Sequence, residues 1–161
     1  IKEALKIIMN EDSKVLNTFI QDFRSDFMNL DPEEIAYPRS VNGLEKFSSS
    51  NGMFAKGAPI HCKGAILYNH LLKTKKLTKK YPLIQEGDKI RFVHLRQPNV
   101  YTSSAFSFIT SFPKELDLKD KIDYDTQFTK SFVEPLKVIS EKIDWWIDDS
   151  YGTQGTLDGF F

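Results

Sequence analysis

The spacing of the phenylalanines is the feature that most constrains this chain. Phe19, Phe23 and Phe27 follow one another at four-residue steps, and Phe128 and Phe132 repeat that step near the other end. Four residues is a little over one helical turn, so each set lies along one side of a helix and forms an apolar stripe that must be covered. Leu5, Ile8 and Val15 extend the first stripe, with Lys2, Glu3, Asp12, Asp22 and Arg24 between them, and the pattern predicts one long helix or two stacked ones over residues 1–29. Asn10-Glu11-Asp12-Ser13 is the natural break, because Asp and Ser cap helix starts. Asp31-Pro32-Glu33-Glu34 reads as a turn or a fresh helix start, with proline suited to the first helical position. A last amphipathic helix is predicted from Asp123 to about Asp144, carrying Phe128, Phe132, Leu136, Val138 and Ile139 and kinked at Pro135. Thirteen phenylalanines in 161 residues imply an aromatic-rich core.

Between these helices the pattern changes. Residues 38–58 collect Gly, Ser, Asn and Pro without periodicity and read as a loop, of a length that is usually functional or mobile. Residues 59–72 return to helical spacing, and Lys73 to Lys80 form a solvated basic stretch. Lys89 to Leu95 alternate polar and apolar side chains as a strand, Gln97-Pro98-Asn99 turn away from it, and Ala105 to Ile109 make a second short strand. The fold class is therefore α+β, helix-dominated, with a small antiparallel β element. Residues 1–147 read as the body, and the Asp-, Gly- and Thr-rich residues 148–161 as a flexible tail. No stretch approaches the roughly 20 apolar residues that cross a bilayer. Cys62 stands alone, which excludes an intramolecular disulfide and suits a buried thiol in a reducing cytoplasm. The chain opens inside an apolar-periodic segment without an initiator methionine, so the expectation is a fragment of a longer protein.

Formal net charge is zero, but its distribution is not even. Residues 1–38 hold 4 basic and 8 acidic side chains, residues 39–91 hold 11 basic and 3 acidic, and residues 117–161 hold 5 basic and 10 acidic. A polyanion responds to the local patch rather than to the total, so the +8 block in the middle points to nucleic acid.

Catalytic signatures are missing from the sequence: it has no Gly-rich phosphate loop, no H-E-x-x-H and no G-x-S-x-G. His61, His70 and His94 lack metal-ligand spacing. Asp117, Asp120, Asp123 and Asp125 could hold magnesium in a small nuclease, though a helix N-terminus accounts for them more simply. Phosphate contacts are better provided for. Lys46, Lys56, Lys63 and the lysines at 73, 75, 76, 79 and 80 can each displace a counterion, and Ser48, Ser49, Ser50 and Asn51 can add uncharged contacts. Gly64, beside Lys63, permits another backbone to come close. The tail carries Gln154, Leu157, Phe160 and Phe161 as Q-x-x-L-x-x-F-F. One tight turn would gather the leucine and both rings into an apolar plug, with the amide free to bond backbone groups.

That spacing resembles the PCNA-interacting-protein box, the peptide with which replication enzymes dock onto ring-shaped sliding clamps. The ordered strings KGAPIHCKGAILYN, EGDKIRFVHLRQPN and IDYDTQFTKSFVEPLKVI together resemble the C-terminal region of family B DNA polymerases of T-even-like tailed phages, over nearly the whole chain. The resemblance implies a polymerase thumb that grips primer–template duplex DNA by its backbone, and a tail that docks onto a sliding clamp for processive replication. It implies a phage protein acting in the bacterial host cytoplasm, with no membrane partner. By position it places His61 and Lys63 in an H-x-basic-Gly pattern at the DNA backbone, Lys46 and Phe47 in a Lys-aromatic pair near the duplex, Lys130 on a phosphate, and Lys56 near a further basic position. The magnesium-binding carboxylates of such enzymes belong to the palm, so no cofactor and no catalytic residue are expected here. Three departures stand out: Lys63 where a bidentate arginine is usual, Glu134 one turn beyond Lys130, and Ser103 and Ser104 in place of a lysine. A non-enzymatic adaptor that occupies a clamp through the same tail is the alternative.

Overall fold

Asp12 decides where the first helix ends and the second begins. Helix α1 (Lys2–Asn10) stops as Glu11 turns extended, and the Asp12 carboxylate accepts the Val15 N–H at 3.0 Å to cap α2 (Ser13–Phe27). Such a cap is worth about 1 kcal/mol. The break predicted at residues 10–13 is thus observed. Asp31 and Glu34 form a reciprocal capping box around α3 (Pro32–Ile35) with proline in its first turn, as its sequence implies.

A computed structural model describes residues 1–49 and 54–148. The chain divides into two compact units, Ile1–Leu30 together with the chain from Tyr124 onward, and Asp31–Asp123. In the first unit the phenylalanine stripes meet each other. Phe23 lies 4.9 Å from Phe132 and 5.7 Å from Phe128, while Phe27 lies 5.1 Å from Phe128, with the rings tilted or edge-on. Edge-on pairs add about 0.5–1.5 kcal/mol each beyond the area they bury. Tyr124 closes the cluster by donating its hydroxyl to the Leu30 carbonyl at 2.8 Å.

The last helix is interrupted as Pro135 requires. It runs as α6 (Tyr124–Phe128), widens into a π-helical turn over Thr129–Val133, and resumes as α7 (Glu134–Ser140). Proline supplies no N–H and its ring crowds the carbonyl four residues back. The ladder responds one residue earlier, where the Glu134 N–H reaches the Thr129 carbonyl, five residues away. Leu136 is fully buried, whereas Val138 and Ile139, which the sequence places on the apolar face, are 60% and 37% exposed. Val138 is two residues beyond Leu136, about 200° round the helix, and so faces away from the stripe.

The second unit is a three-stranded antiparallel sheet in the order β1 (Tyr37–Ser40), β2 (Lys89–His94), β3 (Ala105–Phe108), with α5 (Ile60–Thr74) packed on it. The register pairs Tyr37 with Phe92 and Ser40 with Lys89 on one side, and Arg91 with Phe108 and His94 with Ala105 on the other. β1 and the short α4 (Leu44–Phe47) occupy part of the segment that the sequence assigns to a loop. Pro38 hides the strand from a sequence reading, yet proline is tolerated at an edge, where one side of the strand has no partner to lose.

Helix α5 sits deep because residue 64 is glycine. A Cβ there would stand 2.4 Å from Ser107 Oγ and 2.7 Å from Ser107 N, so the backbone that Gly64 admits is that of β3. The Ser107 hydroxyl donates to the His61 carbonyl at 2.9 Å and fixes the first turn of α5. Farther along, Tyr68 donates to the Pro82 carbonyl, and Asn69 both donates to Ile84 O and accepts from Ile84 N, pinning the chain that leads to β2. Gly64→Ala should destabilise the protein by about 3 kcal/mol, since neither contacting backbone can yield. Urea denaturation of the two proteins checks it; equal midpoints would mean that α5 can lift off β3 without cost.

Candidate nucleic-acid interface

Residues 43–49 lead away from β1 and residues 54–58 lead into α5. Gly43, at φ +91°, lets the chain enter α4, and a Cβ there would meet the Phe47 ring at 3.0 Å. Phe47 N–H and Ser48 N–H bond back to Gly43 O and Leu44 O, and Ser48 Oγ also donates to Leu44 O at 2.6 Å. The return is held where Ser48 pairs with Phe54 and Ala55 N–H donates to Phe47 O at 2.8 Å. This brings Lys46, Phe47 and Lys56 onto one turn-and-return. Phe54 then meets α5, with the Lys63 ammonium 5.1 Å above its ring, while Lys46 lies 5.3 Å above the Phe47 ring. A phenyl ring attracts an ammonium by about 0.5–1 kcal/mol at an exposed site and leaves its charge uncancelled.

His61 sits in the first turn of α5, which begins after Pro59 without a side-chain cap. Its imidazole is half-buried, bonded to the Ser40 backbone and 6.4 Å from the Phe92 ring. Burial, and next the Arg39 guanidinium, hold its pKa below the ordinary 6.5, while the Ser40 bond pulls weakly the other way. At neutral pH His61 is therefore an uncharged hydrogen-bonding group. Arg39 is exposed and held 4.5 Å from the Tyr37 ring. The Lys46, Lys56, Lys63 and His61 positions named from the sequence thus belong to one unit, joined by the Ser48–Phe54 and Ala55–Phe47 pairings and the start of α5.

Other expected contacts are placed differently. Lys130 belongs to the first unit and forms an i, i+4 ion pair with Glu134 at 2.8 Å, so the glutamate cancels that lysine's charge. Lys73, Lys75, Lys76 and Lys79 are exposed at and after the far end of α5, about 15 Å of helix from Lys63, and form no ion pair among the described residues. Lys80 instead pairs with Glu115, which also accepts the Tyr81 hydroxyl at 2.7 Å; these bonds, the lysine's first, hold the Glu115 carboxyl down at about 2. Ser103 is buried and donates to Ala105 O. Asp125 pairs with Arg24, and among the described residues no three His, Cys, Asp or Glu side chains gather as a metal-binding group. Gln154, Leu157, Phe160 and Phe161 lie outside the described residues.

Three participants are missed by sequence reasoning. Arg39 lies in the stretch read as loop, Phe54 carries no local signal, and Glu86 reaches the site from 42 residues beyond Leu44. Charge does carry a signal once the units are known. Asp31–Asp123 holds 15 basic and 10 acidic side chains, a net of +5, and the rest of the chain holds 7 basic and 12 acidic, a net of −5.

No protein-family model matches the chain. It is 25% identical, over 165 aligned residues that include all of it, to the DNA-directed DNA polymerase of Enterobacteria phage T4. The chain is a distant relative of a phage DNA polymerase. It spans 17% of the length of that curated relative. No helix among the described residues is long and apolar enough to cross a membrane.

Because His61 titrates below 6.5 in the folded chain, its contribution to stability is fullest above pH 6.5 and is lost as the pH falls through the lowered pKa. Arg39→Gln removes the second cause of the shift and should raise the His61 midpoint toward 6.5. Imidazole proton NMR during an acid titration checks both; an unchanged midpoint would show that the guanidinium does not reach the ring.

Proposed function

We propose that the chain is the duplex-gripping thumb, residues 1–147, and clamp-docking tail, residues 148–161, of a phage DNA-directed DNA polymerase. The observation that carries this reading is the cluster of Lys46, Lys56 and Lys63 on a net-positive unit of a chain related along its whole length to such a polymerase. The lysines would bind phosphates as point charges without reading bases, which suits an enzyme that must hold any sequence. The backbone N–H groups at the uncapped start of α5 would donate to a phosphate oxygen beside His61, whose one ring N–H is held by the Ser40 backbone at neutral pH, and Phe47 would keep the Lys46 ammonium off neighbouring carboxylates. Lys130, already paired with Glu134, would contribute less. Catalysis would belong to a palm with its own carboxylates and magnesium, in the host cytoplasm. The thumb keeps the product duplex from leaving.

Three phosphates neutralised by Lys46, Lys56 and Lys63 give a slope near −2.7 in log K against log salt, so affinity for a blunt 20-base-pair duplex should fall roughly 40-fold between 50 and 200 mM salt. Fluorescence anisotropy measures it, and salt-independent or absent binding rejects the grip. For the tail, removing Phe160 and Phe161 should abolish binding to the sliding clamp of the same phage in surface plasmon resonance. DNA affinity should change by less than about twofold, as for independent sites. Undiminished clamp binding after that deletion rejects the docking role.

A further inference from the structure

Glu86 stands out among the carboxylates near the basic cluster because both of its oxygens are committed to the backbone. Oε1 accepts the Gly43 N–H and Oε2 the Leu44 N–H, each at 2.6 Å. The two amides are consecutive and open α4, and charge-assisted bonds of this length are the stronger kind. The turn that carries Glu86 is itself fastened: Gly87, at φ +84°, donates to Val41 O at 2.7 Å, Val41 N–H donates to Asp88 O at 2.9 Å, and Asp88 caps Gln85 N–H. Asn42, between these contacts, accepts the Cys62 thiol from α5. The chain therefore leaves β1, is gripped at residues 41–44, and only then presents Lys46 and Phe47.

We infer that Glu86 is a positioning residue for the phosphate-binding turn, holding Gly43 and Leu44 so that Lys46 and Phe47, and through Phe47 O the return to Lys56, take one fixed placement. This rests on the duplex-binding reading. A carboxylate beside a polyanion site would otherwise weaken binding by repulsion. Here its charge is taken up by two amides, and the gain in order outweighs the repulsion that remains.

The opposed signs make the test decisive. Glu86→Gln removes a negative charge, so charge alone predicts tighter DNA binding. The amide keeps one acceptor oxygen and must leave one of the two N–H groups unmet. Positioning therefore predicts binding about fivefold weaker at 50 mM salt and a salt slope smaller by about 1, the share of one lysine. Glu45→Gln is the charge-matched control: Glu45 is exposed on α4 beside Lys46, and its neutralisation should tighten binding. Lys46→Ala with Glu86→Gln should lose clearly less than the sum of the two single losses, a non-additivity that a general loss of stability would not produce. Should the glutamine variant not fold by circular dichroism, Glu86→Asp is read instead. It keeps the charge but is one methylene short, so weaker binding supports positioning and unchanged binding overturns it. If the unaltered protein binds DNA with the expected salt dependence while Glu86→Gln binds as tightly as Glu45→Gln, the positioning role falls and the grip stands. If the unaltered protein binds no DNA, both fall.

Discussion

The contact of Gly64 with Ser107 is the constraint on which the second unit is built. A helix normally packs on a sheet through side chains, whereas here the missing Cβ lets α5 come within contact of β3 backbone. The Ser107 hydroxyl fills the space that a Cβ would need and bonds the His61 carbonyl from the same position. Depth and rotation of α5 are thereby set together. Rotation decides where Lys63 emerges, and Lys63 in turn meets Phe54, which pairs with Ser48 just beyond Phe47. One glycine is thus coupled through three contacts to a lysine 18 residues away in sequence, and α5 serves as scaffold for the basic cluster as well as core.

Four lysines show two ways in which a side chain is held. Lys130 lies against a carboxylate, Lys80 against both a carboxylate and the Tyr81 ring, and Lys46 and Lys63 over phenyl rings alone among the contacts of the described residues. Energetically the two arrangements are similar, since exposed ion pairs contribute about 0–1 kcal/mol and exposed cation–π contacts about 0.5–1. Their outward fields differ greatly. A carboxylate cancels the ammonium within a few ångströms, while a ring restrains the side chain and leaves a full positive charge to be felt by a partner. Restraint without neutralisation is what a phosphate-binding lysine needs, because less side-chain entropy is then lost on binding.

Much of the fold was legible in local pattern. The four-residue phenylalanine steps, the break and cap at Asp12, the helix start at Asp31-Pro32 and the alternation of Lys89 to Leu95 each act within a few residues, and each is realised. What escaped depends on distant partners. β1 exists because β2, about 50 residues away, offers it a ladder, and in Tyr-Pro-Arg-Ser only the tyrosine favours a strand by itself. Gly64 was legible as a place of close approach, but not which backbone would approach. At the candidate site the lysines were legible as charge, while Phe54, Arg39 and Glu86 were not, because their roles come from where the sheet and turns carry them. Glu134, read along the sequence as a charge that would repel a phosphate, is in space the i, i+4 partner of Lys130.

The zero net charge of the chain has no bearing on a polyanion that meets only part of it. At physiological salt the Debye length is about 8 Å, so a phosphate at Lys63 responds to residues within a turn or two of chain and is nearly blind to the rest. On the proposed reading the +5 unit would therefore meet DNA almost as if it stood alone. A uniformly basic chain would bind a duplex in many orientations, most of them unproductive. On that reading, confining the positive field to one unit would favour the orientations that bring that unit to the duplex, without any base being read. On the proposed reading this also accounts for lysine where a bidentate arginine fork is usual. A thumb must release and regrip with every nucleotide added, and point charges on short tethers slide more readily than forks, provided that a clamp holds the enzyme on the DNA in the meantime.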